Sequence, residues 1–229
     1  MPAVTVKRLV CLANSRMPGG SCVAGRILES HGRPGPWVRP VSGRENEGVA
    51  PRASRYVDGG TPSLLDVMDV PVLNALPRGH QQENWLLDLN RRWAKMGSVR
   101  VADLPEWTDE PETLWVNGCK TSQGQNDKVK ASDAESLGNS LCLIKVDLAI
   151  CVFDQYNSWT RSTRRRTQAR FRYRGTDYWM WLTDPGYEVA YKQRSEGTYR
   201  LGECYVTVSL SGVNDDGYAY KLAAAIIEP

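Results

Sequence analysis

The chain has 229 residues, a formal net charge of +3, 41% hydrophobic residues and 24% charged residues. These values are ordinary for a soluble globular protein, so they exclude a globally disordered chain. The longest apolar stretch, residues 141–153, is interrupted by Lys145 and Asp147 and is too short to cross a bilayer, which predicts that a membrane is not a partner.

Six cysteines and two histidines are scattered along the chain. They form neither a CxxC pair nor a metal-ligand spacing, so we expect no disulfide framework, no metal and no cofactor. The N-terminal stretch MPAVTVKRLVCLANSR lacks a charged region ahead of an apolar one, which argues against secretion. Together these features predict a cytoplasmic protein.

The N-terminal half alternates strand-like segments with loops rich in glycine and proline. Strands are predicted at residues 4–12, 22–28, 37–41 and 64–72, and NSRMPGGS forms the loop between the first two. Glycine and proline are frequent between Arg33 and Pro62, which favours loops there.

A helix is predicted over residues 84–96, with Asn84 as its N-cap and Gly97 behind it. Four large apolar side chains recur there at helical spacing; they are Trp85, Leu89, Trp93 and Met96. We expect the tryptophans to lie in a core rather than in a binding site. The polar residues 118–140 follow later and predict a long loop or an interdomain linker.

The C-terminal half predicts five strands and one helix. A strand at 141–153 leads through a polar connection into a hairpin, with Gly175-Thr176 as a type II′ turn. Asp184-Pro185 opens a short helix. The remaining elements are a strand at 203–210, a turn at 211–217 and a strand at 218–227. This order is that of an OB-fold, a five-stranded barrel whose second and third strands face oligonucleotides.

Seven arginines and no acid occur in the fourteen residues RSTRRRTQARFRYR, which begin at Arg161. Subtracting seven from the net charge of +3 leaves −4 on the other residues, so the positive charge is local, and such concentration indicates a partner. Four of these arginines fall in the predicted connection with no acid nearby in sequence; they are Arg161, Arg164, Arg165 and Arg166.

The hairpin alternates arginine with apolar residues, which predicts two unlike faces. With a two-residue loop at Gly175-Thr176, Arg170 would pair with Trp181 and Arg174 with Asp177. The outer face would then present guanidinium groups for phosphates and indoles for bases; its members are Arg170, Arg172, Arg174, Trp179 and Trp181. A surface cation-π ladder without a ligand is the alternative interpretation.

Six short blocks spread over nearly the whole chain resemble the prokaryotic family of dual OB-fold-containing domains. They are KRLVCLANSRMPGGSCVAGR, WVRPVS, LLDVMDVPV, HQQENW, YVTVSLSG and YKLAAAII. The resemblance implies two OB-like barrels and a nucleic-acid-binding role, with no established catalytic residues.

The expected fold is therefore mainly β, with two OB-like small β-barrels and short helices. The expected organisation is an N-terminal OB-like domain at 1–117, the loop or linker at 118–140 and a C-terminal OB-fold domain at 141–229. The first barrel can close after its fourth strand only if residues 113–117 supply the fifth.

Within the matching blocks, Asn14 and Arg16 fall in a glycine-containing loop suited to approaching a phosphate or a base edge. An ordinary hairpin loop is the alternative. Arg39 would extend a basic groove, or lie on a solvated strand edge.

We therefore expect a non-catalytic protein that binds nucleic acid, single-stranded DNA or RNA in preference to duplex. One alternative is a metal-dependent nuclease that uses His80 and Glu83, the only residues that resemble an acid/base site, with Asp66 and Asp69 nearby. Asp66 and Asp69 would lie on opposite faces of their strand. A second alternative is an interaction module whose arginines dock an acidic protein partner in a defence or regulatory complex.

Overall fold

The computed structural model describes residues 4–44 and 48–229, which form two five-stranded β-barrels. In the first barrel the strands close in the order β1-β2-β3-β5-β4-β1, and only β3 and β5 run parallel. Its strands are β1 (Thr5–Met17), β2 (Gly20–Leu28), β3 (Pro34–Val41), β4 (Asp66–Ala75) and β5 (Asn84–Leu87), with β6 (Ala94–Ser98) added to β4.

The second barrel repeats this topology. The order is β8-β9-β10-β12-β11-β8, again with one parallel pair, β10 and β12. Its strands are β8 (Leu141–Asn157), β9 (Ser162–Tyr173), β10 (Thr176–Leu182), β11 (Gly197–Leu210) and β12 (Tyr218–Ile227), with β7 (Lys128–Lys130) added to β12. The helices are α1 (Ala131–Ala134), α2 (Pro185–Lys192) and two 3-10 segments at Ser30–Gly32 and Val101–Trp107.

Alternation along the strands fills the second barrel. In β8, Leu148, Ile150 and Val152 point into the core, whereas Lys145 and Asp147 face solvent. Helix α2 begins as the sequence predicts, because the Asp184 carboxylate accepts the backbone N–H groups of Gly186 and Tyr187. The helix lies between β10 and β11, where an OB-fold carries its helix.

The two barrels share part of their core. Val10 and Leu12 of β1 pack in one cluster with Leu143 of β8 and Tyr205 of β11. The hydroxyl of Thr207 also donates to the carbonyl of Leu12 at 2.5 Å. Apolar contacts that cross from one barrel to the other hold the two units together.

The helix predicted over residues 84–96 is wrong. Residues 84–87 form β5, which pairs in parallel with Arg39–Val41, and β6 begins at Ala94. Parallel pairing with β3 satisfies the backbone N–H and C=O groups that a helix would have hydrogen-bonded internally. Trp93 is fully buried and Trp85 packs against the core, so their core role is confirmed, whereas Leu89 and Met96 are exposed.

The prediction that residues 113–117 close the first barrel is also wrong, because β5 fills that position. Leu114 instead packs into the core of the second barrel. Residues 118–140, expected as a loop or linker, contain β7 and α1. They also lie against the second barrel, because β7 pairs with β12 and Gln125 forms a bridge to Trp179.

All six cysteines are free thiols. Within residues 4–44 and 48–229, no helix is long and apolar enough to cross a membrane.

Candidate nucleic-acid interface

Strands β8 and β9 extend beyond the barrel as a two-stranded ribbon. Pairing continues to Asn157 and Ser162, so Arg164, Arg165 and Arg166 lie in β9 rather than in the loop that the sequence predicts. The connection shrinks to residues 158–161, where the Asn157 side-chain oxygen accepts the N–H groups of Trp159 and Thr160. The sequence does not predict this extension, because both strands are polar there and solvated strands show no apolar alternation.

The hairpin between β9 and β10 turns one residue earlier than predicted. Arg174 and Gly175 are its central residues, with φ of 45° and 82°, which is the type I′ rather than the type II′ pattern. Arg170 consequently pairs with Trp179 and Arg172 with Asp177. Each partner is two positions from the predicted one, so every side chain keeps its predicted face.

The inner face of this hairpin is buried, as the alternation predicts. Phe171 and Tyr178 are cross-strand partners whose rings stack with centroids 5.7 Å apart. Met180, Ala169 and Leu182 are buried beside them. The packed inner face fixes the direction of the outer side chains.

On the outer face, indoles lie under arginines. Trp179 is 39% exposed, and the Arg170 guanidinium carbon lies 4.4 Å from its ring centroid. Trp181 is half-buried between Arg166, at 5.4 Å, and Phe153, whose ring centroid is 6.0 Å away. Trp179 therefore offers more open ring surface than Trp181.

Three of the seven arginines are neutralised by acids. Arg165 forms two hydrogen bonds of 2.6 and 2.9 Å with Asp154, its neighbour across the ribbon. Arg172 forms two of 2.8 and 2.9 Å with Asp177, which raises the pKa of Arg172 and lowers the pKa of Asp177. Arg174 lies 3.6 Å from Glu110.

Four arginines remain without an acidic partner in the described part of the chain. Arg166 and Arg170 bond the amide oxygens of Gln155 and Gln168. The side chains of Arg161 and Arg164 are exposed and make no hydrogen bond, ion pair or ring contact within the described residues. The positive field of this surface therefore comes from Arg161, Arg164, Arg166 and Arg170.

Trp159, at the tip of the ribbon, is 96% exposed, and sequence reasoning did not select it. The sequence does contain a sign of its exposure, because this tryptophan lies between serine and threonine in a polar connection and has no apolar neighbours with which to form a core. An indole held in water beside unpaired arginines is available to stack on a base.

Residues 121–127 cover one margin of the outer face. The backbone of Gln125 forms hydrogen bonds of 3.0 and 3.1 Å with the backbone of Trp179. The side-chain amide of Gln168 donates to the Gln123 carbonyl, and Gln168 is fully buried. The exposed part of the face therefore runs from Trp179 and Arg170 toward the ribbon tip.

A comparison with family models matches residues 7–226 to the dual OB-containing domain. The chain belongs to the dual OB-containing domain family. No curated protein and no solved structure gives a significant match. The family and the two closed barrels confirm the predicted fold class, and OB-folds commonly bind nucleic acids.

In this dual OB-containing domain, Asn14 and Arg16 lie on β1 rather than in a loop, because β1 and β2 pair as far as Met17 and Gly20. The amide of Asn14 donates to the Pro62 carbonyl at 2.8 Å. Arg16 pairs with Glu188 of α2 at 2.9 Å while 58% of its side chain stays exposed. The Arg16 pair is a further bridge between the barrels.

Arg39 is buried, so the interpretation of it as a solvated strand edge is wrong. Its guanidinium lies 3.1 Å from Glu83 and donates to Ser140 at 2.9 Å, across the boundary between the barrels. Ser140 also hydrogen-bonds Glu83. Arg39 lies on the inner strand β3, whose two edges are both paired.

A cleft of about 530 Å³ opens between the barrels beside Arg39. Its walls come from the β1–β2 turn and the β4–β5 connection of the first barrel and from residues 211–214 of the second. His80 Nε2 donates to the Ser211 carbonyl at 2.8 Å, and Gln81 donates to the Leu210 carbonyl at 3.3 Å. These contacts fix the width of the cleft.

The same contacts bear on the nuclease alternative. His80 is held at Ser211, burial lowers its pKa, and Glu83 is paired with Arg39. Asp66 contacts Tyr56 and Lys95, whereas Asp69 pairs with Arg8, so the two carboxylates face different surroundings. Among the described residues no group of three His, Cys, Asp or Glu side chains could hold a metal. The nuclease hypothesis gains no support from this arrangement.

Proposed function

We propose that this dual OB-containing domain binds nucleic acid without catalysing a reaction, and that it prefers single-stranded DNA or RNA. The observation that carries the proposal is the outer face of β9 and β10, where Arg170 covers the exposed ring of Trp179. On this face and at the ribbon tip, four arginines have no acidic partner among the described residues. In an OB-fold these are the second and third strands, the usual oligonucleotide face.

The arginines would bind the phosphate backbone. Arg164, Arg166 and Arg170 belong to one face of β9, and six residues of strand span about 20 Å. A row of this length is sufficient for several nucleotides, since single OB-folds cover roughly 4–16. Arg165, Arg172 and Arg174 would contribute less, because each would first have to leave an acid.

The indoles would bind bases. Stacking on an aromatic ring contributes about 1–3 kcal/mol per base, and only unpaired bases have free faces. Trp159 offers such a ring at the tip of the ribbon and Trp179 offers one on the outer face of β9 and β10. Trp181 offers a smaller one. Because every base has a face that can stack, we expect weak sequence preference.

The test is the replacement Trp179→Ala, measured by fluorescence anisotropy with labelled single-stranded and duplex oligonucleotides. We expect a loss of about 5- to 150-fold for single strands, which corresponds to about 1–3 kcal/mol, and a smaller loss for duplex. Trp85→Phe is a matched control, since Trp85 lies against the core of the first barrel. Equal losses for single strand and duplex would contradict stacking, and no binding by the wild-type protein would contradict the proposal itself.

A further inference from the structure

The cleft between the barrels is a second candidate site, separate from the outer face of β9 and β10. Its volume of about 530 Å³ lies within the range of roughly 300–1,000 Å³ that is typical of small-molecule sites. Four arginines line it, namely Arg16, Arg39, Arg44 and Arg78, and no acid is among the described residues that line it. Arg16 and Arg39 are paired with Glu188 and Glu83, which lie outside its lining. We propose that this cleft binds the phosphate of a nucleotide.

Arg78 is the arginine best placed for this role. It is half-buried on the β4–β5 connection, and its Nη2 donates to the Gly43 carbonyl at 2.6 Å. A carbonyl positions the guanidinium without neutralising its charge. Arginine also matches phosphate geometry with two parallel donors, so Arg78 would keep donors for an anion while anchored at one nitrogen.

Arg39 is a second arginine at the cleft. Its Nη groups are held by Glu83, Asn84 and Ser140, but its buried Nε has no hydrogen-bond partner in the described part of the molecule. An unsatisfied buried donor costs about 1–3 kcal/mol, which favours a rotation of the guanidinium that turns this N–H toward an anion in the cleft. Glu83 is not among the residues that line the cleft, so its carboxylate does not meet the anion.

The remaining walls suit a nucleoside rather than a bare phosphate. Apolar side chains supply surface for a base or a sugar, and they include Val41, Val49, Val213 and Leu222. Gly79 and Gly212 allow close approach to the backbone. A cavity with apolar walls and a few convergent polar groups is the usual form of a ligand site.

The nucleotide could be free or could be the end of a strand. A smaller groove of about 340 Å³ shares Arg16 and Leu222 with the cleft and is lined by Arg166 and Trp181 of the outer face. A strand bound on the outer face would therefore reach the cleft through this groove. The cleft site itself does not depend on the outer face, so free mononucleotides test it directly.

The experiment is calorimetric titration of the full chain with AMP, with adenosine as the probe that lacks the phosphate. A parallel arm uses a thymidine oligonucleotide with and without a 5′-phosphate. We expect AMP to bind more tightly than adenosine by about tenfold or more, the effect of hydrogen bonds to a charged group. A gain in oligonucleotide affinity from the 5′-phosphate would assign a strand end, and AMP binding without such a gain would assign a free nucleotide.

Two variants locate the site. Arg78→Gln should remove most of the preference for the phosphate, whereas Arg91→Gln, which removes an exposed arginine outside the cleft, should not. Val213→Trp should block the cleft without touching a cation, and Val213 is 44% exposed, so folding should be preserved. Equal binding of AMP and adenosine, or equal effects of Arg78→Gln and Arg91→Gln, would overturn the proposal. Loss of strand binding in Trp179→Ala with AMP binding intact would leave the cleft site standing and show that the two sites are separable.

Discussion

The arginine run contains one pair of arginines without acid partners at the ribbon and one pair beside acids at the β9–β10 hairpin, and the two pairs can be compared. Arg161 and Arg164 have no acid near them in the described part of the chain, whereas Arg172 and Arg174 lie beside Asp177 and Glu110. Each phosphate neutralised on a single strand contributes about −0.7 to the slope of log K against log salt. Four such contacts give a slope of about −2.8, a fall in affinity of about 50-fold between roughly 50 and 200 mM salt.

The double replacement Arg161→Gln with Arg164→Gln should remove two of these contacts. The slope should fall to about −1.4, and the loss of affinity over the same salt range to about sevenfold. Arg172→Gln with Arg174→Gln removes the same formal charge from the other end of β9 but should change the slope less, because those arginines already neutralise acids.

The assay is anisotropy of a labelled single-stranded oligonucleotide at five salt concentrations, with circular dichroism to check that both variants fold. If the Arg172 and Arg174 pair flattens the slope as much as the Arg161 and Arg164 pair, then acid pairing does not decide which arginines meet phosphate. The proposed assignment of the backbone contacts would be refuted.

Three further predictions concern stability and titration. Burial lowers the pKa of His80, so its contribution to stability is present above the unfolded pKa of about 6.5 and is lost as pH falls through the folded pKa. In urea titrations, His80→Gln should therefore reduce the fall in unfolding free energy between about pH 7 and pH 5. An unchanged pH profile would contradict this. Leu143→Ala, in the core shared by the barrels, should cost about 2–5 kcal/mol and shift one cooperative transition in calorimetry, whereas two separated transitions would argue against a shared core. Burial lowers the pKa of Lys221 to about 7, so carbon-13 NMR of labelled lysines should show one side chain that titrates near neutral pH, and ordinary titration of every lysine would disprove it.

Much of the second barrel can be predicted from the sequence because its strands either alternate, as β10 does, or form short apolar runs between turns. Residues 218–227 carry no turn residue, and the strand there has those bounds. Asp184-Pro185 predicts the start of α2, because the carboxylate caps the helix and proline fits its first turn. The faces of the hairpin were predicted correctly because they depend only on parity.

The errors arise where long-range pairing overrides a local pattern. Trp85, Leu89, Trp93 and Met96 have helical spacing, yet β3 pairs with residues 84–86 and makes them a strand. The register of the hairpin depends on which two residues adopt positive φ in the turn. Arg174 is one of them although it is neither glycine nor asparagine, so its residue type does not predict this position.

The candidate site shows the same limit. Arg165 has no acid close in sequence, but β8 brings Asp154 to it from eleven residues away. The cleft was not predicted at all, because its walls come from two barrels whose relative placement no local pattern records.

The core common to both barrels affects how long a bound strand must be. Because Leu12 and Leu143 pack in one core, the fold sets the distance from the inter-barrel cleft to the indole at the end of the ribbon. A strand that occupied both ends would have to bridge that constant span. The protein would then require a minimum oligonucleotide length for binding at both ends. Two barrels joined by a flexible linker would instead accept strands of different lengths.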